Sequence, residues 1–522
     1  MITRRKFIGG SLAATASGLV PMAAAPGTVL AATRRPLITH GIASGDVGSA
    51  PGGAGAVIWS RADRTSRMMV EYATTDKFTN ATRVEGPLAG PETDFTARIA
   101  LSRLPADQHI FYRVWFEDPS DAKVAGIPVT GRLRTPPTLG RDILFAWSGD
   151  QNGGGWGINP EWGGLKIFDR LRRANPDFFI HSGDRIYADK PLKKKKKARK
   201  SDFGEYVWRN LVTPAKAKVA ETLDEYRGNY KYNFLDPHYL RFNAEVPMCV
   251  QWDDHEVKNN WYPGQIIDDS RYGERRIDVL AARARRAFFE YSPIEITAAA
   301  EGRVYRGFSY GPMLDVFVID CRSYRGPNGT NDQDRPGPAT ALLGGNQIAW
   351  LKRGLGASRA TWKVIASDMP IGLRQGNKKH IEAWANGDDG GPLGREWEIA
   401  DLLRFIKHNG IKNVVWLTAQ VHIAAANHYH PDRAAFTDFD PFWEFIAGPL
   451  HTNTGKGRKK RRDGTFGLEV VYTNADGIKH PPIDGRQNFG TVAIDGRSQV
   501  MTVAFTDLAG KTLYSMNLEP ER

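Results

Sequence analysis

The spacing of apolar positions changes twice along this chain. From Pro36 to Thr135, short apolar runs at 56–59, 68–72, 95–101 and 110–116 are separated by turn residues. That rhythm predicts the strands of a small β-sandwich over residues 36–136. Pro136-Pro137 marks its end. From Arg141 the pattern becomes strand, helix, strand. Apolar runs at 143–147, 178–180, 246–252, 364–366 and 414–417 read as strands of an α/β layered domain over residues 141–518. Between them, 165–174 places Leu165, Phe168 and Leu171 on one helical face, and 277–291 and 396–408 are further helices. Asn409-Gly410 stops the last of these. After Phe489 strands return at 491–494, 501–505 and 513–516, and no internal repeat is present.

Polar chemistry gathers at the ends of the predicted α/β strands. The motifs are Ser148-Gly149-Asp150, Gly183-Asp184-Arg185-Ile186-Tyr187, Asp253-Asp254-His255-Glu256, Ser367-Asp368 and Gln420-Val421-His422. Open α/β sheets place their ligand sites at strand ends. Carboxylates, a phenol and imidazoles converging on one sheet edge point to a metal centre and to hydrolysis. Asp184 and Tyr187 together suit a hard trivalent ion, and His422 offers an imidazole ligand. His255, beside a carboxylate, suits oxyanion stabilisation or proton donation to a leaving group. Gly153, Gly154 and Gly155 lack the Lys-Ser/Thr pair of a phosphate loop.

Composition narrows the setting. The chain has 522 residues, is 41% hydrophobic and 25% charged, and is long enough for two or three domains. Its net charge of +13 favours anionic substrates or neighbours. The cysteines, Cys249 and Cys321, lie in apolar contexts and read as buried free thiols, without a disulfide framework. Lys193 to Lys197 are consecutive lysines and, like the basic run Lys456 to Arg462, read as solvated loops. No aromatic interleaving suggests a specific nucleic-acid partner. Residues 1–32 read as an address, with Arg4-Arg5 before Phe7 and an Ala-rich apolar stretch giving a twin-arginine signal peptide. Export to the periplasm or exterior through the twin-arginine translocase follows, with no transmembrane anchor later in the chain.

The ordered set of motifs resembles the calcineurin-like and purple acid phosphatase pattern of dimetal phosphoesterases. The closer resemblance is to the alkaline phosphatase D (PhoD) family. It is carried by His40-Gly41-Ile42-Ala43-Ser44-Gly45-Asp46, His181-Ser182-Gly183-Asp184, Trp252-Asp253-Asp254-His255-Glu256-Val257-Lys258-Asn259-Asn260, the segment from Asp320 to Gly326, and the twin-arginine signature. It covers nearly all of the mature chain. It implies a four-layer α/β/β/α metallophosphoesterase domain behind a fibronectin III-like sandwich, the latter echoed in Leu104-Pro105 and Tyr112-Arg113-Val114. It also implies hydrolysis of phosphate mono- or diesters by a hydroxide held between metals, with His255 assisting the leaving group. The cofactors implied are Fe³⁺ and one or two Ca²⁺. The first metal would take Asp150, Asp184, Tyr187 and His422, and the second the bridging Asp184 with Asp254, Asp368 and Gln420. Some family members carry cysteine where Asp150 stands. The all-oxygen second set suits Ca²⁺. Asn259, Asn260, Arg322 and Arg325 are secondary candidates for calcium or phosphate contacts.

Gln420 departs from the pattern, because related chains generally have an acidic residue there. Its amide carbonyl can ligate Ca²⁺ but adds no charge. Two alternatives stand beside the phosphatase reading: a phospholipase D-like diesterase, and a degenerate, non-catalytic exported protein that binds polyanions.

Overall fold

A computed structural model describes residues 35–198, 201–297, 302–457 and 461–521. Residues 1–32, read above as a twin-arginine signal, lie outside the described residues. No helix among those described is long and apolar enough to cross a membrane.

Two large mixed sheets organise the molecule. The first has nine strands in the order Thr512–Leu518, Met501–Asp507, Asn488–Ile494, Ile143–Ser148, Phe178–Ser182, Met248–Gln251, Ile38–Ala50, Gly53–Ala62 and Thr96–Leu104. The second has seven, in the order Arg306–Ser309, Leu314–Val318, Trp362–Ala366, Val414–Thr418, Phe442–Ile446, Ala425–Tyr429 and Leu468–Thr473. In the first sheet Ile143–Ser148, Phe178–Ser182 and Met248–Gln251 run parallel, and so do Trp362–Ala366 and Val414–Thr418 in the second. All five strands marked by the apolar runs are therefore present. Their near-continuous hydrophobicity fits parallel strands buried on both faces.

Side chains from both sheets share one core, in which Phe145, Phe178 and Ile180 meet Val316, Val364, Val415 and Leu417. A second core joins the outer face of the nine-stranded sheet to helices Lys166–Ala174, Leu223–Asn233, Pro237–Glu245 and Ile277–Glu290. A third joins the seven-stranded sheet to Gly344–Ala357 and Glu396–His408. Glu396–His408 has the bounds read from the sequence, whereas Leu223–Asn233 was missed although Thr222 and Glu225 form a capping box.

The strands expected between Pro36 and Thr135 divide between sheets. Gly53–Ala62 and Thr96–Leu104 extend the nine-stranded sheet, while Ser66–Ala73 and His109–Asp118 belong to a separate five-stranded sheet. The unexpected long strand Ile38–Ala50 makes the junction, through a parallel bridge between Gly45 and Met248. A Cβ on Gly45 would lie 2.4 Å from the Met248 carbonyl oxygen and 2.5 Å from that of Pro293, so this close approach requires glycine.

The lysine run departs from its reading as a loop. Lys195–Ala198 is a strand paired antiparallel with Tyr206–Arg209. Lys196 turns inward, its ammonium 4.1 Å from the Trp156 ring centroid, while Lys193, Lys194, Lys195 and Lys197 remain exposed. Cation–π attraction and backbone pairing outweigh the repulsion between neighbouring ammonium groups. Both cysteines are buried and free, as expected.

Candidate metal centre

Each candidate side chain follows the carboxyl end of a parallel strand. Asp150 and Asp184 leave the first sheet after Ser148 and Ser182, with Asp253 and Asp254 just past Gln251. Asp368, Gln420 and His422 leave the second after Ala366 and Thr418. Asp150, Asp184, Gln420 and His422 all adopt left-handed backbone, with φ of 68°, 52°, 57° and 57°. Non-glycine residues avoid this region, and clusters of them mark functional sites. Gly183, at φ 87°, has no room for a side chain: its Cβ would lie 2.4 Å from that of Asp253.

The first group comprises Asp150, Asp184, Tyr187 and His422. His422 Nδ1 lies 2.9 Å from the Asn453 carbonyl oxygen. A carbonyl only accepts, so Nδ1 carries the proton and Nε2 presents a bare lone pair. That lone pair faces Asp150 Oδ1 at 3.0 Å and the Tyr187 hydroxyl oxygen at 3.5 Å. Neither carboxylate oxygen of Asp150 receives a hydrogen bond although both are buried. Two lone-pair donors converge where a cation would satisfy both.

Charge crowding supports the same reading. Burial, then Asp254, Asp253, Glu256 and Asp150, push the Asp184 carboxyl well above its usual range. Burial, then Asp184 and Asp150, drive the Tyr187 phenol well above 10.0. Acids held neutral by one another are what a bound cation reverses. The donors present therefore fit a metal.

His255 sits across from this group. Its Nδ1 donates to Asp189 Oδ1 at 2.6 Å, and its backbone N–H donates to Asp184 Oδ1 at 3.0 Å. Its ring stacks on Tyr187 with centroids 4.1 Å apart. Nε2 is 3.9 Å from Asp254 Oδ1. Burial pulls the His255 pKa down, but Asp189 and Asp254 outweigh it and hold it above 6.5. Asp184, Asp254 and His255 bring ligand-capable atoms within 4.8 Å of one another.

A cavity of about 380 Å³ opens over these groups. Asp184, Asp254, His255, Asn259, Asn260, Gln420 and His422 all line it. Asp254 Oδ2 accepts from the Asn260 backbone N–H at 2.7 Å. Asp368, Arg322 and Arg325 do not line the cavity. Arg322 is fully buried, 2.5 Å from Asp253 Oδ1, 2.9 Å from Glu382 Oε2 and 3.5 Å from Asp368 Oδ2. Its guanidinium balances three carboxylates behind the site, where a substrate phosphate cannot reach. Arg325 is also buried and donates to the Glu382 carbonyl and to Asn328 Oδ1.

Two residues escaped the sequence reading. Glu382 lines the cavity and its Oε1 accepts from Gln420 Nε2 at 3.4 Å. It lies just past the two-residue strand His380–Ile381, with no apolar run to announce it. Asp189 stands two residues beyond Tyr187, and the strand-end pattern carried no signal for its bond to His255.

A family model described as PhoD-like phosphatase matches residues 145–505, and one described as PhoD-like phosphatase, N-terminal domain, matches residues 23–137. Over 455 residues the chain is 28% identical to alkaline phosphatase D of Bacillus subtilis (strain 168), spanning 81% of this chain and 71% of that protein. The fold is similar to a solved structure of PhoD, with a TM-score of 0.67, 20% identity, and coverage of 91% of this chain and 92% of that one. It is also similar to purple acid phosphatase PPD1 from yellow lupin (Lupinus luteus) seeds, with a TM-score of 0.55, 12% identity, and coverage of 93% and 74%.

Proposed function

The chain belongs to the PhoD-like phosphatase family and is a phosphoester hydrolase, and we propose that it is an exported enzyme cleaving phosphate mono- or diesters at a centre of Fe³⁺ and Ca²⁺. The observation that carries the metal reading is the bare Nε2 of His422 facing the unbonded Asp150 carboxylate at 3.0 Å. Asp150, Asp184, Tyr187 and His422 would hold the ferric ion. Asp184, Asp254 and Gln420 would hold calcium, with Glu382 adding the charge that Gln420 lacks; Asp368 would support them from behind Asp253. When bound, such ions act as Lewis acids on phosphoryl oxygens and lower the pKa of water.

The remaining roles fall to side chains. Asp189 accepts the Nδ1–H of His255 and so turns Nε2 toward the cavity, and the imidazolium that Asp189 and Asp254 favour carries its second proton on Nε2 for the departing alkoxide. The Tyr187 ring keeps the imidazole in plane. The amide groups of Asn259 and Asn260 are available to a phosphate oxygen at the cavity wall. The three cores support a four-layer α/β/β/α domain, and the 36–136 strands support a fibronectin III-like sandwich fused to its edge. The Arg4-Arg5 signature of residues 1–32 supports export by the twin-arginine translocase.

The test is elemental analysis of the purified protein beside a panel of phosphate mono- and diesters. Iron and calcium together with chelator-sensitive turnover are expected. Full turnover by metal-free protein would overturn the reading, and Asp184→Asn should abolish turnover.

A further inference from the structure

A lysine is buried beside the segment that carries Asp189. Lys216 closes the short 3-10 turn Pro214–Lys216 and is 2% exposed. Among the described residues no carboxylate forms an ion pair with it. Its Nζ donates to the Tyr187 carbonyl at 3.0 Å and to Asn229 Oδ1 at 2.8 Å. A buried amine without an acid is costly to keep, and a methionine would fill the same space without that cost.

Lys216 holds the Tyr187 segment at two points. Its side chain takes the Tyr187 carbonyl, and its own carbonyl accepts from the Leu192 N–H at 2.6 Å. Asp189 stands between these points. A third tie, from the Ala220 N–H to the Ala188 carbonyl at 2.9 Å, comes from the same stretch of chain. On its other side the segment meets His255. The Ala188 N–H donates to the His255 carbonyl at 2.9 Å, and Asp189 Oδ1 accepts from Nδ1 at 2.6 Å. The Tyr187 ring stacks on the same imidazole.

Asn229, in helix Leu223–Asn233, braces the amine. Its Nδ2 donates to the Glu225 carbonyl at 2.9 Å and to the Ala215 carbonyl at 3.3 Å, which leaves Oδ1 for Lys216. Burial lowers the Lys216 pKa to about 7, and the charge of Asp189 opposes that fall. Protonated or neutral, the amine has enough N–H groups for both of its bonds, so the grip does not depend on its charge.

We propose that Lys216 is a positioning residue for the hydrolysis: braced by Asn229, it pins the Tyr187–Asp189 turn so that Asp189 meets His255 Nδ1 and the imidazole is held for the leaving group. This rests on the hydrolase reading. Lys216 touches neither substrate nor metal and acts through Asp189.

The test compares two diesters on the metal-loaded full chain. Bis(4-nitrophenyl) phosphate releases a stable anion that needs no proton, whereas bis(2-hydroxyethyl) phosphate releases an alkoxide that does. Lys216→Met should lower kcat on the alkyl diester roughly tenfold, with a smaller loss on the nitrophenyl diester. KM and metal content, read by elemental analysis, should stay near wild type. Placed on top of Asp189→Asn, Lys216→Met should change kcat little further, because both act on one pair. Asn229→Ala removes the brace but keeps the lysine, and should show the same dependence on leaving group at smaller size. It reads the grip even where Lys216→Met impairs folding. Equal losses on the two diesters in both variants, a full additional loss in the Asp189→Asn background, or wild-type kcat in Lys216→Met would each overturn the assignment. Failure of the hydrolase reading looks different: the wild type itself would leave both diesters uncleaved.

Discussion

Asp189 Oδ1 lies 2.6 Å from His255 Nδ1, and the carboxylate is buried. Burial works against its ionisation, but the imidazole outweighs it and holds the Asp189 pKa well below the usual carboxylate range. The pair fixes which imidazole nitrogen faces the cavity. His255→Ala should lower kcat by roughly 10²–10⁴-fold with metal content near wild type. Asp189→Asn leaves a ring that can rotate or change tautomer, and should cost roughly 10–100-fold in kcat. Metal loss in either variant, measured by elemental analysis, would instead make His255 a ligand.

Tyr187 tests the first ion by colour. A ferric phenolate absorbs visible light, so the loaded protein should be coloured. Tyr187→Phe should bleach it while the chain stays folded by circular dichroism. A colourless, iron-free wild type with full activity would remove Tyr187 from the ligand set.

Gln420 and Glu382 test the second ion as a pair. Calcium affinity rises with ligand charge. Gln420→Asp should therefore shift the activating calcium concentration downward and Glu382→Gln should shift it upward. Calcium titration of phosphodiesterase activity reads both, and flat responses in both variants would place the second ion elsewhere.

Glu396 makes stability fall with alkalinity. Burial and then Asp463 push its carboxyl from 4.5 up to about 9. The native state thus keeps a proton that the unfolded chain releases near 4.5, and unfolding becomes easier as pH rises from that value to about 9. Below that window both states are protonated, and above it both are ionised. Glu396→Gln should remove the penalty, since an amide can donate permanently to Asp463. Its thermal midpoint should gain on wild type across pH 5 to about 9 and no further above. A constant difference at all pH values would show that Glu396 is not the titrating group.

Much of this was legible because parallel strands announce themselves. Runs such as 143–147 and 414–417 are apolar on both faces, and their ends locate Asp150, Gln420 and His422 without reference to partners. What stayed hidden depends on distant neighbours. Arg322 resembles a phosphate ligand in sequence, yet its surroundings are Asp253 and Glu382, 69 and 60 positions away. Glu382 follows no apolar run. The lysine run repels itself locally and reads as loop, whereas Trp156 and the Tyr206–Arg209 strand make it a hairpin.

The candidate ligands come from two sheets that share a core but no hydrogen-bonded strand. Asp150, Asp184 and Asp254 belong to one, Gln420 and His422 to the other. An ion held by both would rivet them across their seam, so that losing the ion and parting the sheets become linked events. At about a hundredfold over its dissociation constant, such a rivet would add about 2.7 kcal/mol to stability. A chelator would then act as a denaturant of this protein before any substrate is involved.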